Sequence, residues 1–379
     1  MASVNCRNHK QPASSIWATK VGCLCTVQKI IGGTVFLMKL HSVNKQTRSL
    51  YEPFRIQLPE TFLVFTPFFM KNYFSIFFTA LFSSTLSATE RFEFEEPHIG
   101  TLVRIILYAP TSEVAEKAAK DAFATFRKID GIMSAFDDES ELSLLCKNNG
   151  SEQVSEDLFT VLRAAKHYST ISDGAFDVTV GPMVLLWRHS RRRGELPKEE
   201  YIKSAKELVG NHLWELDECT RSVRLLKTGM RFNLGAIAKG YAIDKAFEVI
   251  QKHGITSMLV DAGGDFRLGA PPPNTEGWRI AKGGENVLMK NTAMATSGDL
   301  YQFVEIDGVR YAHIVDPKTG LGMTGLSTVH VTAPTAMEAD ALATAVAVLG
   351  KEKGTALIDK LPKVTVEIVD ESRERRAMQ

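Results

Sequence analysis

The sequence predicts an α+β fold, a mixed α/β arrangement in which helices and antiparallel strands alternate irregularly. Three observations carry that expectation. From Glu90 onward, runs with strand character and runs with helical spacing follow one another without a long linker. Several strand-like runs sit in hairpin-like pairs instead of being separated by helices. Composition is ordinary for a globular chain, with 44% hydrophobic and 23% charged residues, so 379 residues suffice for a large core.

The elements read in order as follows. Leu102 to Tyr108 (LVRIILY) is a strand, and Ser112 to Phe136 carries Ala, Phe and Ile at helical spacing. Leu158 to Ile171 is an amphipathic helix, and Lys198 to Val209 a short one. The basic run Arg191-Arg192-Arg193 before it reads as a solvated loop, with docking of a partner as the alternative. Trp214 to Leu226 reads as strands joined by a turn, and Ala236 to His253 as a helix ended by Gly254. Ser257 to Asp261 is a strand opening into Gly263-Gly264. Thr292 to Thr296, Gln302 to Ile306 and Arg310 to Ile314 read as strands. A strand from Leu326 to Ala333 leads into a helix from Ala336 to Leu349. A last helix, Lys351 to Lys360, and a last strand, Val364 to Val369, precede a charged tail over 371–379 that is expected to fray.

The chain before Glu90 has a different character. Residues 1–69 mix Lys, Ser, Asn and Cys with short apolar runs and carry no motif, and they are expected to be a non-native or disordered extension. Met70-Lys71-Asn72-Tyr73, the apolar run Phe74 to Phe82 and the small residues from Ser83 to Ala88 have the layout of a secretory signal. The reading that follows has Met70 as the natural initiator, 70–88 as a signal peptide, and 90–370 as the working domain. A membrane anchor over Thr61 to Ala88 is the main alternative, although Pro67, Lys71 and Asn72 interrupt it; a buried core segment is the other.

Charge and cysteines exclude some functions. With 45 basic and 44 acidic residues there is no polybasic field, which argues against nucleic acid as a partner. The five cysteines form no paired CxxC set, so a structural zinc site is not expected.

Five stretches can carry chemistry. In Ala336 to Thr344 (AMEADALAT), Asp340 and Thr344 lie four apart and share one face of a helix. A carboxylate and a hydroxyl on adjacent turns suit a hard cation such as magnesium; an acid favoured by the helix dipole, with a surface Thr, is the plain alternative. In Asn233 to Tyr241 (NLGAIAKGY), small residues at a helix start admit a phosphate or a ring, and Lys239 can add charge. Such starts also serve close helix packing. Asp261-Ala262-Gly263-Gly264-Asp265 allows close backbone approach, or is simply a turn. In Gly174 to Pro182 (GAFDVTVGP), Phe176 among small residues can pack on a planar ring, or belong to the core. Thr296-Ser297-Gly298-Asp299 precedes Ala312 to Gly320 (AHIVDPKTG), where His313 is either a general base or a structural histidine.

Taken together and in this order, these stretches resemble the ApbE family of FAD:protein FMN transferases. The resemblance runs from about Gly100 to Leu361 and includes Met133-Ser134-Ala135-Phe136 with Ser140-Glu141-Leu142-Ser143. GAFDVTVGP, NLGAIAKGYAID, the GGD turn, ATSGD, HIVDPKTG and PTAMEADALATA complete it. It implies an α+β fold related to the tunnelling fold. It implies that Ile99, Phe136, Ala175, Phe176, Asp177, Asn233, Lys239 and Ile314 line an FAD site. It also implies that Asp340, Thr344 and the carbonyl of Ala236 bind Mg2+, and that His313 activates an acceptor hydroxyl. Ile99 stands where the family often has Met, and Asn233 where Asp is common.

The implied reaction is magnesium-dependent transfer of FMN from FAD to a Thr or Ser of an acceptor flavoprotein, releasing AMP. The implied acceptors are subunits of membrane redox complexes or a soluble reductase. A signal at Met70 would make the enzyme exported, either periplasmic or attached to the outer side of the cytoplasmic membrane. An FAD pyrophosphatase and a flavin carrier without catalysis are the alternatives.

Peptide mapping of the protein from its native cell checks the start site. The expected result is no peptide from residues 1–69; recovery of one would contradict initiation at Met70.

Overall fold

Two strands open the described chain. β1 (Glu90–His98) and β2 (Thr101–Ala109) pair antiparallel through the turn residues Ile99 and Gly100, both at positive φ. The computed structural model describes residues 89–148, 150–282, 285–298, 303–325 and 327–369. The expectations for residues 1–88, for Asp299 and for the 371–379 tail fall outside them.

The remaining elements follow in chain order. α1 (Ser112–Met133) is capped by Thr111, whose hydroxyl accepts from the Val114 amide, and α2 (Glu141–Lys147) is capped in the same way by Ser140. β3 (Ser151–Gln153) and α3 (Glu156–Ile171) come next, then α4 (Gly181–Arg193) and α5 (Glu199–Lys206). β4 (Trp214–Asp217) and β5 (Ser222–Leu225) form the expected hairpin. α6 (Ala238–Lys252) leads to β6 (Met258–Ala262) and β7 (Asp265–Leu268). β8 (Trp278–Lys282) pairs with β9 (Glu285–Met289), and β10 (Thr292–Ser297) follows. β11 (Phe303–Ile306), β12 (Val309–Val315) and β13 (Gly322–Thr324) make a small sheet. β14 (Thr328–Ala333), α7 (Ala336–Ile358) and β15 (Thr365–Val369) complete the described residues.

The central sheet has the order β1-β2-β6-β7-β10-β14-β15, and each neighbouring pair is antiparallel. Its two faces separate by the period-2 rule. Val103, Ile105, Met258, Val260, Ala293 and Ala295 point to the main core, against α1, α6 and α7. Ile106, Leu259 and Met294 point the other way, to a smaller cluster closed by Trp278 of β8. A third cluster joins Met183 and Trp187 of α4 to Ile306 and Val315 of the small sheet, and the Trp187 indole donates to the Ala312 carbonyl at 3.1 Å.

Most elements lie where the sequence puts them. The clearest correction is Arg191-Arg192-Arg193, which form the last turn of α4 and not a loop. The Gly181-Pro182 start hid this helix, yet Pro is favoured in a first turn, where its missing N–H costs nothing. α7 carries a break at Gly350 (φ 76°, ψ 175°), so two helical stretches meet there, as the separate readings of 336–349 and 351–360 expect.

α6 and α7 cross so closely that only glycine fits at the contact. A Cβ on Gly240 would lie 2.2 Å from the Ala336 carbonyl oxygen. Gly240→Ala should therefore lower stability by about 1–3 kcal/mol through overpacking. Gly131→Ala, in an exposed part of α1 with nothing within 4 Å of the added carbon, should instead raise it by about 0.5 kcal/mol. Denaturant unfolding of both variants checks the contrast; equal effects would contradict the close crossing.

Candidate functional site

The start of α7 is fixed by an acid from α6. The Asp244 carboxylate accepts the Ala336 amide on one oxygen and the Met337 amide on the other, both at 2.9 Å. Arg267 Nη1 donates to the same carboxylate at 2.8 Å. Thr335 caps the helix conventionally, taking the Glu338 amide at 3.2 Å. The orphan N–H groups of α7 thus end on a buried anion that also suits the helix dipole.

The reverse contact builds the site. Asp340, on the second turn of α7, accepts the Gly240 amide of α6 at 3.0 Å. Each helix therefore receives a carboxylate from the other. Lys239 then points its ammonium to Asp265 of β7 at 2.6 Å, and Asp265 accepts the Thr296 amide of β10 at 2.9 Å. Thr344 lies one turn beyond Asp340, with its hydroxyl 3.3 Å from that of Ser297.

These groups carry more negative than positive charge. Burial, then the neighbouring Asp265 carboxylate, push the Asp340 carboxyl up to about 7. Burial alone would lower the Lys239 ammonium, but Asp265 and Asp340 outweigh it and hold the pKa above the usual lysine value. Asp261 adds a further negative charge beside Lys239. Arg104 pairs with Asp261 at 3.4 Å, so one ammonium is left facing the two buried carboxylates of Asp265 and Asp340.

That imbalance and the donor set fit a hard cation. Asp340 offers a carboxylate, Thr344 a hydroxyl and Ala236 a backbone carbonyl at the turn into α6, so every donor is oxygen. Among the described residues no group of three or more His, Cys, Asp or Glu forms a complete metal cage. Magnesium suits such a partial set, because it keeps waters and substrate phosphates in its shell.

These side chains floor a cleft of about 1230 Å³. Phe136, Ala175, Phe176, Asp177, Asn233, Ala236, Lys239, His313, Ile314, Asp340 and Thr344 all line it. The Asn233 amide donates to the Val178 carbonyl at 2.7 Å, which ties the turn before α6 to the 175–178 stretch. The Asn233 side chain in turn accepts the Gly235 amide at 3.0 Å. Asp177 takes both the amide and the hydroxyl of Thr179, and burial pushes its carboxyl up. Phe136 is 63% exposed, with the Arg188 guanidinium 4.2 Å from its ring centre. His313 is exposed on β12, and Ile314 beside it leans on the main core.

Ile99 is the exception. It sits in the β1–β2 turn at φ 50°, packs against the main core and is not among the residues lining the cleft. The hairpin turn and its apolar contact account for its position.

Sequence reasoning assigned no role to Asp244, Asp265 or Arg188. Asp244 closes the NLGAIAKGYAID string, where an acid within an apolar helical run is a signal that it must be paired once buried. Asp265 sits in the GGD turn, but its bond to Lys239 links residues far apart in sequence. Asp244→Ala should cost roughly 3–5 kcal/mol, because it strands Arg267 and two helix amides together. Thermal unfolding beside Arg267→Ala checks this; a loss below about 1 kcal/mol would contradict the clamp.

A model of the ApbE family matches residues 99–368. The FAD:protein FMN transferase of Treponema pallidum (strain Nichols) is 33% identical over 306 residues, covering 74% of this chain and 84% of that protein. The FAD:protein FMN transferase of Haemophilus influenzae is 33% identical over 266 residues, 65% of this chain and 76% of that one. The apo crystal structure of the flavinyl transferase ApbE from Pseudomonas stutzeri superposes with a TM-score of 0.68 at 27% identity, covering 76% of this chain and 93% of that chain. The crystal structure of the ApbE protein from Thermotoga maritima gives 0.68 at 30% identity, covering 75% and 95%. With sequence, fold and relatives in agreement, this chain belongs to the ApbE family.

Proposed function

We propose that this protein transfers FMN from FAD to a threonine or serine hydroxyl of an acceptor flavoprotein and releases AMP, with magnesium as its metal. The observation that carries the reading is the meeting of His313, Lys239 and the Asp340/Thr344 pair in one cleft large enough for a dinucleotide. The FAD:protein FMN transferases similar to this chain support the reaction class.

The chain's own groups divide the work. Lys239 and the N-terminal end of α6 face the cleft and would receive the pyrophosphate of FAD. Phe136 would hold a flat ring by packing, beside Ala175 and the edge of Phe176, whose ring is buried in the main core against Tyr168. His313 would take the proton of the acceptor hydroxyl. The freed oxygen then attacks the FMN-side phosphorus, the bond to the AMP phosphate breaks, and the flavin remains as a phosphoester on the acceptor. Positioning and electrostatics supply most of the acceleration in such transfers. Asp340, Thr344 and the Ala236 carbonyl would hold magnesium, which when bound offsets the charge that gathers on the departing phosphate.

The address of the reaction is part of the proposal. The signal-like stretch from Met70 supports export, with the enzyme acting in the periplasm or on the outer side of the cytoplasmic membrane. Among the described residues no helix is long and apolar enough to cross a membrane.

The test is to incubate the purified protein with FAD, magnesium and a candidate acceptor. Fluorescent acceptor with free AMP is the expected result. AMP without label would mean an FAD hydrolase, and neither product would mean a carrier. Asp340→Ala should abolish metal-dependent labelling, and full activity would refute the metal assignment. His313→Ala should slow transfer by about 10²–10⁴-fold while FAD binding stays largely intact; unchanged transfer would remove the base role.

A further inference from the structure

We propose that the exposed face of α4 docks an acidic segment of the acceptor protein at the mouth of the cleft. This names the partner chemistry of the transferase reading and rests on that reading.

The charge on α4 is one-sided. Its sequence, GPMVLLWRHSRRR, holds four arginines and no acid, in a chain whose basic and acidic residues as a whole nearly balance at 45 and 44. Elsewhere among the described residues Arg91, Arg104, Arg127, Arg163, Arg224 and Arg267 each lie against a carboxylate, and Arg221, Arg231 and Arg279, which do not, stand singly on separate segments. Among the described residues Arg188, Arg191, Arg192 and Arg193 have no carboxylate partner. The helix dipole favours cations in a last turn, which accounts in part for Arg191 to Arg193. It does not account for Arg188, nearly a turn earlier, or for the absence of any acid.

The placement is equally one-sided. Met183, Trp187 and Ser190 are the buried stripe of α4. Leu185, Arg188 and Arg192 recur three and four residues apart on the opposite stripe, and all three are exposed. Arg188, which is exposed, and Arg191, which is half-buried, line the same cleft that holds the reacting groups, on its solvent side. Phe136, beneath the Arg188 guanidinium, and Leu185 add apolar surface. Cationic heads beside exposed apolar side chains form a surface that recognises an acidic segment carrying apolar residues.

The floor of the cleft gives the arrangement its logic. Asp265 and Asp340, with Lys239 as their one ammonium and Asp261 taken up by Arg104, leave the buried end of the cleft negative, so acidic side chains are repelled from it. The basic mouth holds those side chains outside, and the neutral hydroxyl alone descends to the phosphate.

Fluorescence anisotropy on the whole protein tests this with two short labelled peptides. One carries a threonine flanked by aspartates and leucine; the other has asparagines in place of the aspartates. Wild type should bind the acidic peptide about tenfold more tightly at low salt, with the advantage shrinking as salt rises. Arg192→Glu/Arg193→Glu should abolish the advantage and Arg192→Gln/Arg193→Gln should reduce it, while FAD affinity stays at the wild-type value. Equal binding of the two peptides would overturn the proposal, as would loss of FAD affinity in either variant. So would arginine-dependent binding to phosphatidylserine vesicles with no peptide preference. Because the readout is binding, acidic-peptide selectivity in a protein that labels no acceptor would support the docking surface and count against the transferase reading alone.

Discussion

The exchange of carboxylates between α6 and α7 is the contact on which the site depends. Asp244 of α6 takes two amides at the start of α7, and Asp340 of α7 takes the Gly240 amide of α6. Neither bond forms unless the helices nearly touch, and Gly240 permits that approach. The same contact fixes the rotation of α7, and so the direction of Asp340 and Thr344. The structural crossing and the chemistry of the cleft floor are one arrangement, because one carboxylate serves both.

A second consequence is electrostatic. Packing two helix starts and β7 together buries Asp244, Asp265 and Asp340 within one small region. Arg267 balances Asp244, and Lys239 bridges Asp265, but Asp340 is left with a carboxyl raised to about 7. Proteins tolerate such an excess where something bound offsets it. In the proposed reaction a cation between a carboxylate and a phosphate would do so, and that would account for an acid at a site that apolar packing could fill.

The legible parts of the chain were those with local signals. The strand-forming run LVRIILY, the helical period read over 112–136, of which 112–133 are helix, and the i, i+4 pair Asp340/Thr344 are written in neighbouring residues. The order of motifs from Gly100 to Leu361 carried the family, and all the expected site residues but Ile99 line one cleft. What local signals do not carry is pairing at a distance. Asp244 to Ala336 spans 92 residues, and the Trp187 indole reaches a carbonyl 125 residues on. α4 was hidden for another reason: its Gly-Pro start resembles a turn, and its arginines resemble a solvated loop until Trp187 anchors the helix to the small sheet.

The account joins a cation site on α7 to the phosphates of FAD on the floor of one cleft. The most direct measurement is a crystal structure with FAD bound and manganese in place of magnesium, read by its anomalous signal. The account predicts a single strong peak within coordination distance of Asp340, Thr344 and an FAD phosphate oxygen. A peak elsewhere, or FAD phosphates lying away from Lys239 and Asp340, would contradict it.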